Sequence, residues 1–238
     1  MSKNPVIVAL DMPRAEALAL ADSLRGSVRW VKVGMTLFYS EGPSIVTDLR
    51  EMGFDVFVDL KLLDIPHQVS GAAAAIARLG AGMFTVHASG GAAMMRAAVE
   101  ASGREASAAG VAAPAVLAVT VLTSIDEAGL AEIGVERSAA EQVRLLAELA
   151  RSAGVDGVVC SPHEAVHMRE LLGQDALIVT PGVRPLWSES GDQARVATPS
   201  AALSAGASHL VIGRPITADP APTEAVKRIL EDIEGARS

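Results

Sequence analysis

Asp59-Leu60-Lys61-Leu62-Leu63-Asp64 places two carboxylates and an amine within six residues. It follows the apolar run Val56-Phe57-Val58 and so reads as the end of a strand. Alternate residues of a strand share a face, so Asp59 and Lys61 point to the same side. Lys32 sits in another apolar run, Trp30-Val31-Lys32-Val33, on what would be the neighbouring strand, within reach of both. Asp64 lies past the strand end and either turns back or crosses to a partner subunit. Alternating lysine and aspartate charges fix one another's protonation and hold a lysine ready as a proton donor. The plainer reading of the same spacing is a buried structural ion-pair network.

A second signal comes from Thr180-Pro181-Gly182-Val183-Arg184 and Ile212-Gly213-Arg214-Pro215. Each follows an apolar run and supplies one arginine and one glycine amide. Arginine stays charged and grips phosphate bidentately. Either arginine alone could be an ordinary surface residue; the two at matching positions point to a phosphate. The polar stretch from Arg184 to Gln193, with Trp187 in it, reads as a lid over that phosphate or as a plain surface connection.

Other reactive types carry less. His163-Glu164-Ala165-Val166-His167 matches H-E-x-x-H, a zinc-site pattern. Yet Ser161-Pro162-His163-Glu164 reads as a capping box, which already occupies Glu164 and opens a helix there. Only Glu189, in the lid segment, offers a third ligand, so the expectation is no metal. Cys160 reads as a small buried hydrophobe, and His209 as packed within a strand. His87, ending an apolar run, either hydrogen-bonds behind the site or touches the ligand.

The elements that must position these residues are short apolar runs separated by helical stretches. The runs are Val6–Leu10, Trp30–Val33, Val56–Val58, Met83–Val86, Ala115–Val119, Gly157–Val159, Ala176–Val179 and Leu210–Ile212. Near-continuous apolar character suits parallel strands covered on both faces. Between them, Val226, Ile229, Leu230 and Ile233 keep helical spacing, Ser138 and Glu141 form a capping box, and Gly206 caps a helix after Ala201–Ala205. The Ala-rich segment Gly71–Ala77 reads as a small-residue helix face packed tightly on the barrel. Eight such units predict a (β/α)8 TIM barrel, one α/β domain over residues 1–238, with a doubly wound open sheet as the alternative. Chemistry in a barrel gathers at the C-terminal ends of the strands, where Asp11, Lys32, Asp59, Lys61, His87, Arg184 and Arg214 fall.

Composition sets the outer limits. The chain has 238 residues, half of them hydrophobic and a fifth charged, which excludes a disordered polymer. Twenty basic residues against 28 acidic ones give a net charge of −8, so no chain-wide footprint for nucleic acid exists. A single cysteine excludes an intrachain disulfide framework. The first apolar run, before Asp11, is too short for a signal segment or a membrane span, and the expectation is a soluble cytoplasmic protein.

Taken in order, these motifs resemble the orotidine 5′-phosphate decarboxylase family of the bacterial type. Asp59-Leu60-Lys61-Leu62-Leu63-Asp64-Ile65-Pro66 matches its D-x-K-x-x-D-I-P signature. Lys32-Val33-Gly34, Thr85 to Gly91, Val119 to Ser124, Thr180 to Arg184 and Ile212 to Pro215 follow in the family's order, so the likeness runs from about residue 5 to 232. The resemblance implies decarboxylation of orotidine 5′-monophosphate to uridine 5′-monophosphate, without cofactor. It implies Lys61 as proton donor to the C6 carbanion, flanked by Asp59 and by Asp64 reaching in from the second subunit of a homodimer. Lys32 would complete the charged network and touch the ribose, and Asp11 would bind a ribose hydroxyl. Thr123 would hold the pyrimidine edge, with Ile65, Gln68 and Pro181 also in the substrate set. Arg184, Arg214 and the Gly213 amide would hold the phosphate, and Gln193 would bridge phosphate and base from the lid. His67-Gln68 stands where the family usually has Asn-Thr, and Leu63 where His is common.

Three rivals follow. Mg²⁺-dependent sugar-phosphate sister enzymes place a metal-binding Glu where this chain has Lys32. A binding-only barrel would be expected to lose Lys61 or an aspartate, and a zinc hydrolase would use His163 and His167.

Overall fold

The computed structural model describes residues 4–188 and 197–236. Eight parallel strands, β1 Val6–Ala9, β2 Trp30–Gly34, β3 Asp55–Leu62, β4 Met83–His87, β5 Ala115–Val119, β6 Gly157–Val159, β7 Leu177–Thr180 and β8 His209–Ile212, pair in chain order. β8 returns to β1, with Val6 opposite Leu210 and Val8 opposite Ile212, so the sheet closes into a barrel. The open doubly wound sheet is thereby excluded.

Near-continuous apolar runs are needed because both faces of each strand are buried. One face fills the barrel interior: Ile7, Phe57, Met83, Leu117, Val179 and Val211 form a core of their own, with Trp30 and Val159 packed against it. The other face, including Val8, Val31, Val56, Phe84, Val116, Ile178 and Ile212, meets the surrounding helices in a separate, larger core. The interior is thus packed with side chains, as (β/α)8 barrels are, and only its mouth is open to chemistry.

The helices follow the expected local rules. Helix Ala139–Ser152 starts at the Ser138–Glu141 capping box, and helix Pro222–Gly235 buries Val226, Ile229 and Ile233. Gly206 follows helix Pro199–Ser204 at φ 103°, a left-handed position that favours glycine. The Ala-rich segment lies in helix Pro66–Arg78, whose Ala73 and Ala77 are buried. Its Val69, Ala73 and Ile76 join the strands' outward faces in the larger core, as expected, and the helix also packs closely along the equally Ala-rich helix Gly91–Ala109. Small side chains let those two helices run close together. Among the described residues no helix is long and apolar enough to cross a membrane.

Candidate active site

Strand parity carries the inward face upward from the apolar core to the mouth. Trp30 is followed two positions on by Lys32, Phe57 by Asp59, Met83 by Thr85, and Ala9 by Asp11. The apolar filling gives way there to a row of charges. Asp59 Oδ2 accepts from Lys61 Nζ at 2.9 Å and lies 3.7 Å from Lys32 Nζ. Lys32 Nζ donates in turn to both Asp11 oxygens, at 3.0 and 3.3 Å. The order Asp11–Lys32–Asp59–Lys61 alternates in sign. The Lys32 side chain is only 9% exposed, and a lysine that buried persists only when paired.

Two backbone features build this row. Gly34 ends β2, and a Cβ there would sit 2.5 Å from Asp11 Oδ1 and 2.8 Å from Lys32 Nζ. Only a residue without a side chain leaves room for that ion pair. The second feature is an irregularity in the β3–β4 ladder. Val58 lies opposite Phe84, but the next pairing joins Leu62 to Val86, so four steps on β3 match two on β4. Because the surplus is an even number, the face of each side chain is preserved. Asp59 and Lys61 therefore do share the inward side, while Leu60 packs outward into the helix-facing core. Lys61 takes up the surplus at φ 52°, the only non-glycine residue at positive φ among those described. Regular alternation predicted the right side, but the bulge that brings Lys61 onto Asp59 was not visible in the sequence.

Thr85 was not picked out as a site residue, yet it sits at the centre of the bulge. It is fully buried, accepts from the Lys61 N–H at 2.9 Å and donates to Asp59 Oδ1 at 2.9 Å. The signal was available: a polar residue two positions beyond inward-facing Met83, on the strand next to the charged one. His87 ends the same strand, half-buried. Burial, reinforced by the Lys61 ammonium and opposed by Asp59, holds its pKa below the usual histidine value.

Beside this row opens a cavity of about 460 Å³, lined by Asp11, Lys32, Pro181, Arg184, Gly213, Arg214 and neighbours. That volume suits a small-molecule ligand. Arg184 Nε is buried and has no hydrogen-bond partner among the described residues, a donor that calls for an acceptor. The Arg184 N–H donates to Ala197 O at 2.9 Å, and Val183 bridges Ala197, so this strand end is tied to the chain that leads into helix Pro199–Ser204.

The remaining candidates are placed less tightly. Asp64 and Ile65 are exposed beyond β3, and the Asp64 carboxylate accepts from its own neighbour, Ile65 N, at 2.6 Å rather than joining the row. Gln68 is exposed in the first turn of helix Pro66–Arg78, and Thr123 is half-buried beyond β5. Gln193 and Glu189 lie outside the described residues. In the H-E-x-x-H stretch, Glu164 accepts from Ser161 N at 2.8 Å within a capping box that opens a short 3₁₀ turn, and His167 pairs with Glu170 at 3.8 Å. No group of three or more metal-ligating side chains occurs among the described residues. Burial pushes the Cys160 thiol well up, which keeps it protonated and unreactive.

Known proteins resemble this chain over nearly its whole length. The profile of the orotidine 5′-phosphate decarboxylase / HUMPS family matches residues 4–229. The orotidine 5′-phosphate decarboxylase of Paramagnetospirillum magneticum is 51% identical over 97% of this chain and 98% of its own. That of Moorella thermoacetica is 51% identical over 98% of this chain and 93% of its own. The crystal structure of the Lactobacillus acidophilus orotidine 5′-phosphate decarboxylase superposes with a TM-score of 0.86 at 39% identity, covering 97% and 99% of the two chains. The chain thus matches these relatives over nearly its full length, and it belongs to the orotidine 5′-phosphate decarboxylase / HUMPS family.

Proposed function

We propose that this protein decarboxylates orotidine 5′-monophosphate to uridine 5′-monophosphate and CO₂, with Lys61 as proton donor and no cofactor. The observation that carries the reading is the Asp11–Lys32–Asp59–Lys61 row, whose Asp11–Lys32 end lines the same cavity as Arg184 and Arg214. Loss of CO₂ from the orotate ring leaves an electron pair at C6 in an sp² orbital with no conjugated sink. The Lys61 ammonium, fixed in place by Asp59 before the substrate arrives, stabilises that charge and then delivers its proton to C6. Two species thus leave the site, CO₂ and the protonated pyrimidine.

The phosphate is held by Arg184, Arg214 and the Gly213 amide, with Pro181 on the cavity wall. Its distance from the reacting carbon lets remote binding energy position the ring. Asp11 and Lys32 hold the ribose. Thr123 and Ile65 border the base, Gln68 stands near the ribose, and Gln193 completes the contact between phosphate and base. Lys32 also weighs against the magnesium-dependent sister activity, because a buried ammonium opposes a divalent cation at that position.

The active form is a homodimer in which Asp64 enters the partner's site. Two features support this. Asp64 is exposed and makes no ion pair among the described residues, and the apolar side chains of Met35, Tyr39, Leu63 and Ile65 stand exposed on the segments that follow β2 and β3. Exposed apolar side chains of this kind suit a subunit interface. In sedimentation the active protein should run as a dimer; a fully active monomer would remove this part of the reading.

The first test is the ultraviolet change on mixing the protein with orotidine 5′-monophosphate, with and without EDTA. Conversion unaffected by chelator supports the cofactor-free reaction. Conversion lost with chelator rejects it and reopens His163 and His167, and no conversion at all moves the site to a sister sugar phosphate or to binding alone.

A further inference from the structure

We infer that Thr85 is a positioning residue for this reaction: one buried hydroxyl holds both the Lys61 backbone and the Asp59 carboxylate, and so sets where the proton donor stands. The inference rests on the decarboxylase reading for its kinetic consequence, but its geometric content is independent of the substrate.

The direction of the two hydrogen bonds is fixed by chemistry. An amide N–H can only donate and an ionised carboxylate can only accept, so the hydroxyl accepts from Lys61 N and gives its proton to Asp59 Oδ1. That commits Oδ1 to Thr85 and leaves Oδ2 for Lys61 Nζ and Lys32 Nζ. The carboxylate is thereby locked in rotation, and the lysine whose ammonium it holds is locked with it.

The backbone needs the same hydroxyl. Lys61 occupies the left-handed region at φ 52°, which disfavours a residue with a side chain. It does so where the β3–β4 ladder slips, between the Val58–Phe84 and Leu62–Val86 pairs. Thr85 lies at the middle of that slip on β4, and its hydroxyl takes up the Lys61 N–H there. Threonine is suited to the task because branching at Cβ restricts χ1, so the oxygen's position is set by the β4 backbone. Serine keeps the hydroxyl and loses that restraint, whereas valine keeps the shape and loses both hydrogen bonds.

The experiment compares Thr85→Val and Thr85→Ser with the wild type in turnover, affinity for uridine 5′-monophosphate, thermal stability and crystal structure. For Thr85→Val the expected result is a kcat lower by about 10- to 100-fold, the scale of a misplaced catalytic group. Product affinity should stay nearly unchanged, because the phosphate and ribose contacts lie elsewhere, and Thr85→Ser should restore most of the turnover. The crystal structure of Thr85→Val should show the Asp59 carboxylate turned and its contact with Lys61 broken. An unchanged kcat overturns the inference. So does a loss of turnover, product binding and stability together that serine does not repair, since that is a structural role only. An intact Lys61–Asp59 contact in Thr85→Val overturns it too, whatever the substrate proves to be. If the wild type itself fails to release CO₂ from orotidine 5′-monophosphate, the functional reading falls, and the crystal structures still decide whether Thr85 sets the lysine.

Discussion

The two sides of the barrel mouth are bonded very differently. Around β2, β3 and β4, the ammonium groups of Lys32 and Lys61 lie 3.7 and 2.9 Å from Asp59, and Thr85 anchors that carboxylate. Around β7 and β8, Arg184 keeps a buried Nε that has no hydrogen-bond partner among the described residues, beside an open cavity. The first side is complete without a ligand. The second has a donor that a ligand's acceptor would satisfy. Where charge develops in a transition state, the stabilising group must be in place beforehand, because reorganising it during the reaction costs the rate. Where a substrate is merely gripped, an unsatisfied donor is useful, since it gains most when the acceptor arrives.

Removing Lys61 breaks the completed side and has the largest expected effect. Lys61→Ala should lower kcat by at least about 10⁴-fold, because it removes both the electrostatic stabiliser and the proton source. Affinity for uridine 5′-monophosphate should change little. Steady-state turnover and product titration on the same preparation would check both halves, and near-normal turnover would sink the mechanism.

The opposite pattern should follow on the arginine side. Arg184→Ala removes charge-assisted hydrogen bonds worth about 1.5–3 kcal/mol, so KM should rise by about 10- to 100-fold. Its kcat should fall by much less than that of Lys61→Ala. If both variants lose kcat and KM in the same proportion, the division between a reacting side and a gripping side is wrong.

That division was partly legible in the sequence. All eight strands were found from apolar runs, because a strand buried on both faces has little room for polar residues. β3 is the instructive exception: it continues to Leu62, four residues past the apolar run, because Asp59 and Lys61 remain within the strand while facing the mouth. The spacing of Asp59 and Lys61 gave their common side, and Lys32 gave its reach. What could not be read was the four-against-two slip with β4, since it depends on the partner strand and not on β3 alone. Thr85 could have been placed on the inward face by its spacing from Met83, but its two hydrogen bonds show only once its neighbour across the ladder is known. Gly34 was seen only as part of a motif; its reason is the Asp11–Lys32 pair that a Cβ would displace.

His87 allows a finer test, with the smallest expected effect. Its folded pKa lies below the usual value of about 6.5, first through burial and then through Lys61, with Asp59 opposing. The folded state therefore binds this proton less readily than the unfolded chain does. Well above pH 6.5 the imidazole is neutral in both states and contributes no pH dependence. As the pH falls from there toward the folded pKa, the unfolded chain is protonated first, and stability is lost over that window. Thr85 and the pairs around it hold Lys61 close enough to add to the shift, so the effect reports on how tightly the reacting side is built. His87→Gln should flatten the fall in Tm between neutral and mildly acidic pH. Lys61→Ala should flatten it partly, because burial remains while the neighbouring positive charge is gone. Scanning Tm against pH for the three proteins checks the order. Identical slopes for the wild type and His87→Gln would show that His87 is not held neutral, and an unchanged slope in Lys61→Ala would show that the ammonium does not act on it.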